Sequence, residues 1–281
     1  MSIYLKDLLN NKITSKNDLT KLTKVPVFGE LGHNPSGEII IARQDSRTVL
    51  AEQFRLMRTN LQFILKGKEH QVIMLTSSMS GEGKSFLCIN LASTLAISGK
   101  KVVLMELDLR KPKVSKALGL PGNVGFSNYV VSDLPMSSLI QPVQLHPNLF
   151  VISAGIIPPN PSELLLQDKV AQLFEYLRKE FDYVIVDTAP IGLVTDALLL
   201  SKFADANIYV VRQNYTLKEQ LNIIDDLAVN SKMNNLSILI NDVNKSSGYG
   251  YGYGYGYGDK GYYTDKLEKK SFFHGWRKKV N

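Results

Sequence analysis

Apolar positions along the chain fall into short continuous runs, separated by segments with a helical repeat. Val72-Ile73-Met74-Leu75 is an unbroken run of strand length. A small-residue loop follows it, and then an apolar-periodic segment over 86–97 that predicts a helix. The alternation recurs downstream. Segment 101–108 reads as a buried parallel strand ending in acids. Strands are predicted over 148–153, 183–187, 206–211 and 236–241. Helices are predicted over 162–179, with Ser162 as N-cap behind Pro161, and over 195–203 and 217–232. Strands apolar on both faces, alternating with helices, predict an α/β fold with a doubly wound, mostly parallel sheet.

Upstream the pattern weakens. Residues 1–41 are polar and broken, with a short helix at 17–22 and one apolar run, Val25-Pro26-Val27-Phe28-Gly29. This reads as an extended lead-in packed locally on the main domain. Helix signals resume at Asp45-Ser46, and Phe54, Met57, Leu61 and Ile64 have helical spacing. Glu52, Arg55 and Arg58 stand three apart along one edge of that helix. The core ends near Lys245. From Gly248 a strict Gly-Tyr alternation begins, and seven of the chain's 13 tyrosines lie in 249–263. Alternating glycine cannot bury a core face, so this tail is expected to be disordered. The expected organisation is a lead-in (1–44), a P-loop domain (45–245) and a tail (246–281).

Composition narrows the class. With 281 residues, 44% of them hydrophobic and 21% charged, the chain is long enough for one large α/β domain. The single cysteine, Cys88, excludes an internal disulfide and reads as a core residue. No His/Cys spacing marks a zinc site. No secretory signal is visible, and no apolar run reaches the ~20 residues of a membrane span. The net charge is +7, and from Asp259 onward seven Lys/Arg stand against three Asp/Glu. That excess suits an anionic surface or an acidic partner, or is simply a solvated basic end. Phe272, Phe273 and Trp276 in the same stretch allow a short amphipathic helix at lipid, or an unstructured terminus. Nucleic acid is not expected as a partner, because the basic residues of the domain are not interleaved with aromatics.

The loop between the first strong strand and its helix carries the chemistry. It reads Ser77-Ser78-Met79-Ser80-Gly81-Glu82-Gly83-Lys84-Ser85. A strand, a tight loop ending in Gly-Lys-Ser and a helix form a phosphate-binding P-loop. Free N–H groups at the helix start face the phosphates. Gly81 and Gly83 permit the tight turn. Lys84 reaches the β/γ oxygens and the Ser85 hydroxyl holds Mg²⁺. Ser80, Gly81, Glu82, Gly83, Lys84, Ser85 and Phe86 form the expected nucleotide-contacting set. Ser78 replaces the opening glycine of the usual pattern. Two strands end in acids that could complete the site: Asp187, followed by Thr188-Ala189-Pro190, and Asp108, followed by Leu109-Arg110-Lys111-Pro112.

In this order the motifs resemble the cytoplasmic kinase domain of the bacterial tyrosine kinases of capsule and exopolysaccharide synthesis, relatives of the MinD-type deviant P-loop ATPases. The resemblance covers nearly the whole chain. The family's second acidic motif maps onto Glu106-Leu107-Asp108-Leu109-Arg110, and its Walker B motif onto Val184-Ile185-Val186-Asp187. Its subunit-contact helix maps onto Glu52, Arg55 and Arg58. The run Pro158-Pro159-Asn160-Pro161-Ser162-Glu163 is also similar. The family's autophosphorylated cluster maps onto Tyr249, Tyr251, Tyr253, Tyr255, Tyr257, Tyr262 and Tyr263. Departures are Glu106 for the usual Asp, Ser80 for a frequent Pro, and Met79 where MinD-type ATPases carry a signature Lys. Lys113 stands near the internal regulatory tyrosine of some members.

The resemblance implies ATP and Mg²⁺ as cofactors. Ser85, Asp108, Asp187 and Glu106 are the expected metal set, Lys84, Asp108, Asp187 and Glu106 the catalytic set, and Asp108 the expected base for the tyrosine hydroxyl. It implies a homo-oligomeric ring, with an octamer as its expected size, in which each tail enters a neighbour's site. It implies a membrane-embedded co-polymerase portion or activator, a tyrosine phosphatase, and a position on the cytoplasmic face of the membrane. Two other readings share these motifs: a MinD/ParA-type ATPase switch, and a weakly active structural co-polymerase subunit.

Overall fold

The computed structural model describes residues 10–65 and 71–244. The Gly-Tyr repeat, the seven tyrosines expected as acceptors and the basic end lie outside them.

Eight strands form one sheet: β1 (Val27–Gly32), β2 (Gln71–Ser77), β3 (Val102–Leu107), β4 (Gln141–Pro142), β5 (Leu149–Ile152), β6 (Tyr183–Thr188), β7 (Ala206–Arg212) and β8 (Leu236–Val243). Their order is β1-β8-β7-β2-β6-β3-β5-β4, and every pairing is parallel except β4 with β5. All seven residues of β2 and all six of β3 are buried. Covering both faces of the sheet is what makes these strands unbroken apolar runs. Alternate residues feed two cores. Val72, Met74, Val103 and Met105 face one, and Ile73, Leu75, Val102 and Leu104 the other.

The helices are α1 (Lys16–Leu22), α2 (Val49–Leu65), α3 (Lys84–Ile97), α4 (Val114–Ala117), α5 (Phe126–Val131), α6 (Pro161–Leu165), α7 (Asp168–Glu180), α8 (Asp196–Ser201) and α9 (Leu221–Val229). On α2 the buried stripe is Leu50, Phe54, Met57, Leu61 and Leu65, and the helix packs on α3 and β1. On α7 it is Val170, Leu173, Phe174 and Leu177. Both follow the spacing a one-sided helix requires.

The lead-in is more integrated than its sequence predicts. Its short helix, α1, is present and opens on a capping box between Ser15 and Asp18. Beyond it, residues 27–32 become a strand of the main sheet, paired with β8. The carboxamide of buried Asn90 on α3 ties down the following segment. It accepts from the N–H groups of Ile41 (2.7 Å) and Ala42 (3.0 Å) and donates to Ile39 O (2.9 Å) and Phe86 O (2.9 Å).

Three predicted helices differ. The helix expected over 162–179 is two, because Gln167 is extended (ψ 143°) between α6 and α7. Asn160 is its N-cap, not Ser162, and Pro161 takes the first helical position, where its missing N–H costs nothing. The helix expected over 217–232 begins as a 3₁₀ turn, Lys218–Gln220, and continues as α9. The helix expected over 195–203 is the shorter α8. The stretch 113–147, where the pattern marks no element, holds α4, α5, a 3₁₀ turn (Met136–Leu139) and β4.

Candidate active site

The P-loop leaves the central strand β2 and closes on the N-terminus of α3. Gly81 (φ 92°) and Gly83 (φ 99°) are left-handed. A Cβ at Gly83 would lie 2.1 Å from Asn241 Nδ2, and one at Gly81 2.8 Å from the Tyr215 hydroxyl, so neither position admits a side chain. Three successive loop carbonyls are held from outside. Tyr215 Oη donates to Ser80 O (2.8 Å), Arg212 Nη1 to Gly81 O (2.9 Å) and Asn241 Nδ2 to Glu82 O (2.9 Å). A loop gripped by its carbonyls is preorganised to offer its N–H groups to an anion. Ser78, in place of the usual glycine, is buried, and its hydroxyl accepts from Tyr209 Oη (3.0 Å).

Glu82 is fully buried and turns away from any ligand. Its carboxylate accepts from Met79 N (2.8 Å) and from the Thr216 hydroxyl. Burial pushes its carboxyl above the usual range against those bonds. Only its backbone can serve a nucleotide; the side chain braces the loop. Arg212 also pairs with Asp242 (Nε to Oδ2, 2.9 Å), whose other oxygen lies 2.6 Å from His33 Nδ1 just past β1. The far side of 213–218 is held by the lead-in: Ile13 N donates to Thr216 O (2.9 Å), Asn214 N to Ile13 O (2.8 Å) and Lys218 N to Asn11 O (2.7 Å).

Lys84 is buried, with Nζ donating to Ser77 Oγ (3.0 Å). Ser85 Oγ donates to Asp187 Oδ2 (2.6 Å). Asp187 is fully buried, and burial raises its carboxyl from 3.8 to about 7, against the pull of Lys84 and Ser85; the charges of Asp108 and Glu106 add to the rise. Cys88 Sγ lies 3.8 Å from Asp187 Oδ1, and burial lifts its thiol well above the ordinary value, as suits a core residue. Phe86 is half-buried and edge-on to Phe54.

The acids expected to share one cation do not all meet. Among the described residues no group of three or more acidic, imidazole or thiol side chains converges as a metal site. Ser85 and Asp187 do meet. A hydroxyl and a carboxylate are hard oxygen donors, and Mg²⁺ is commonly held by one or two carboxylates with phosphate and water, so the pair fits that ion. Asp108 is half-buried at the end of β3, and its Oδ1 accepts from Lys111 N (3.0 Å). Glu106 lies beside Asp187 in the β3–β6 register. Its carboxylate is turned to Val114 N (2.5 Å), Ser115 N (3.3 Å), Ala154 N (3.2 Å) and the Ser115 hydroxyl. Arg110 grips fully buried Asp196 with two bonds (2.9 and 3.1 Å), and Ser162 Oγ donates to the same carboxylate (2.7 Å).

Glu52, Arg55 and Arg58 lie on α2, away from the loop. Arg55 pairs with Glu52 and donates to Ser46 O (2.7 Å). At the carboxyl ends of β1 and β8 a groove of roughly 320 Å³ is lined by Asn34, Ile41, Leu50, Gln53 and Asn244, among others. The bracing residues Tyr215, Thr216 and Asn241 have no local motif to mark them. Arg212 and Asn241 carry one faint signal, a polar residue closing an apolar strand.

A sequence profile of the CobQ/CobB/MinD/ParA nucleotide binding domain matches residues 73–250. The tyrosine-protein kinase YwqD of Bacillus subtilis is 38% identical over 181 residues, 64% of this chain and 76% of that one. The putative tyrosine-protein kinase CapB of Staphylococcus aureus is 32% identical over 205 residues, 72% and 90% of the two chains. Among solved structures, the chimerical protein CapA2B2 superposes with a TM-score of 0.73 at 31% identity, over 81% of this chain and 98% of that one. The kinase domain of the Escherichia coli tyrosine kinase ETK gives 0.74 at 25% identity, over 86% and 100%.

Proposed function

The chain belongs to the CobQ/CobB/MinD/ParA nucleotide-binding family and is a tyrosine-protein kinase, and we propose that it transfers the γ-phosphoryl group of ATP to tyrosines of its own Gly-Tyr tail. The observation that carries this reading is the Ser85–Asp187 pair beside buried Lys84, at the mouth of a braced P-loop, in a chain that carries seven clustered tyrosines at 249–263.

The nucleotide phosphates lie against the N–H groups of 81–86, and Lys84 neutralises charge developing on the γ-phosphoryl oxygens. Ser85 and Asp187 would hold Mg²⁺, which when bound would supply further charge neutralisation on the phosphates. Asp108, free on the side away from Lys111, takes the phenolic proton as the tyrosine oxygen attacks. One O–P bond forms, and the bond from the γ-phosphorus to the bridging oxygen breaks. A phenol titrates near ~10, so a nearby carboxylate base lowers the barrier.

We place the transfer between subunits of a homo-oligomer assembled through α2, with Glu52, Arg55 and Arg58 at the contact. A membrane portion or activator and a phosphatase complete the cycle, serving capsule or exopolysaccharide export at the cytoplasmic face of the membrane. No helix among the described residues is long and apolar enough to cross a bilayer. The test is complementation. Full-length Lys84→Met protein, which keeps its tail, is mixed with active protein truncated after Lys245. Phosphotyrosine on the Lys84→Met chains is the expected result; its absence, with truncated protein that still hydrolyses ATP, would overturn transfer between subunits.

A further inference from the structure

We propose that Glu106 is a mount that positions Asp108, not a ligand of the metal. Its carboxylate has about four acceptor positions, and four donors use them. Oε1 takes the N–H groups of Val114 and Ser115, and Oε2 takes the Ser115 hydroxyl and the Ala154 N–H. The side chain is 1% exposed, so water cannot replace a donor that leaves. A cation could be reached only by stripping these bonds and leaving buried N–H groups without partners.

The donors come from two segments, the start of α4 and the loop after β5, whose strand already pairs with β3. Helix α4 is a single turn whose N-cap, Lys113, gives no side-chain cap. Glu106 therefore caps it from the end of β3, eight residues before, on the first N–H groups that a helix leaves open. Ala154 opens the loop after β5. Asp108 lies two residues beyond Glu106 and two before Arg110, whose guanidinium is clamped on Asp196. The acid meant to meet the tyrosine is thus anchored on both flanks, while its own carboxylate keeps one oxygen outside the Lys111 bond.

This departs from the expectation that Glu106 belongs to the metal and catalytic sets. Shortening the side chain by one methylene withdraws the carboxylate by about 1.5 Å, out of reach of donors on two segments at once. The longer acid is what this chain's packing requires. The assignment of Asp108 rests on the kinase reading; the account of the Glu106 bonds does not.

The experiment compares full-length wild type with Glu106→Asp, Glu106→Gln and Ser115→Ala. The thermal midpoint is read without metal or nucleotide, and the Mg²⁺ dependence of ADP binding by calorimetry. Expected are midpoints lowered by several degrees in all three, and a half-saturating Mg²⁺ concentration within about twofold of wild type. Ser115→Ala leaves the acid intact and is the variant that folds most safely. In it, turnover falls about 10-fold, the scale of a lost supporting bond, with KM for ATP unchanged, a split that loss of stability alone would not give below the midpoint. An unchanged midpoint with the Mg²⁺ requirement raised about 10-fold in Glu106→Gln would overturn the proposal, as would Glu106→Asp more active than wild type. Failure of wild type to phosphorylate would sink the kinase reading and leave the midpoint and Mg²⁺ arms to decide this one.

Discussion

Burial alone would keep the Asp187 carboxyl protonated, and Lys84 and Ser85 pull it back only as far as about 7. The unfolded chain releases this proton near the ordinary value of 3.8. Between those values the folded chain holds a proton the unfolded chain has lost, so stability falls as pH rises through the window. Asp187→Asn removes the titration. Without nucleotide, the thermal midpoint of wild type should fall relative to that of Asp187→Asn from about pH 4 to about pH 7. Parallel profiles would contradict this placement of Asp187. The same variant should lose Mg²⁺-dependent tightening of ADP binding, because the remaining hydroxyl of Ser85 is a weak donor alone.

At the scale of elements, α3 holds the nucleotide site and the lead-in together. Asn90→Ala would strand the N–H groups of Ile41 and Ala42 and remove the side-chain donor to Ile39 O, at a cost of about 3 kcal/mol. Urea unfolding monitored by circular dichroism measures that loss; a change under about 0.5 kcal/mol would mean the strap is dispensable. The central strands were legible because full burial writes continuous apolar runs. The P-loop was legible because its chemistry is local. Strand β1 was not, since Gly29 and Gly32 interrupt its apolar residues and its partner β8 lies some two hundred positions away. Helices α4 and α5 are too short for a period to show. The break at Gln167 is hidden because apolar spacing runs on through it. At the site, Lys84, Ser85, Asp108 and Asp187 could be picked from spacing. The turning of Glu106 and Glu82 into the protein could not, since it depends on backbone N–H groups that leave no mark in the sequence and on Ala154 and Thr216, 48 and 134 positions away.

For the whole molecule, the loop 213–218 links the start of the described chain to the P-loop. The backbone of 11–13 pairs with one side of it, and Tyr215 and Thr216 grip Ser80 and Glu82 from the other. Removing residues 1–14 should weaken ADP binding about 10-fold by calorimetry while the sheet stays folded; unchanged affinity would show that the P-loop is braced without the lead-in. Assembly, proposed above to run through α2, is a separate question. Arg58→Ala should shift sedimentation toward the monomer and lower tail phosphorylation more than ATP hydrolysis, because only the former needs a neighbour. A coil of fifteen residues, the length of 249–263, would span roughly 20 Å by the ~5–6 Å × √n relation. Each phosphate adds about −1.5 to −2 charges, so a fully modified tail would repel the acid-lined sites and loosen the assembly.

The most direct test of the central claim is intact-mass spectrometry of the full chain after incubation with Mg²⁺ and ATP, beside Lys84→Met. The account predicts a ladder of phosphate additions that maps to tyrosines within 249–263 and is absent from the variant. A wild type that binds ATP and gains no phosphate, or an equal ladder on Lys84→Met, would contradict it.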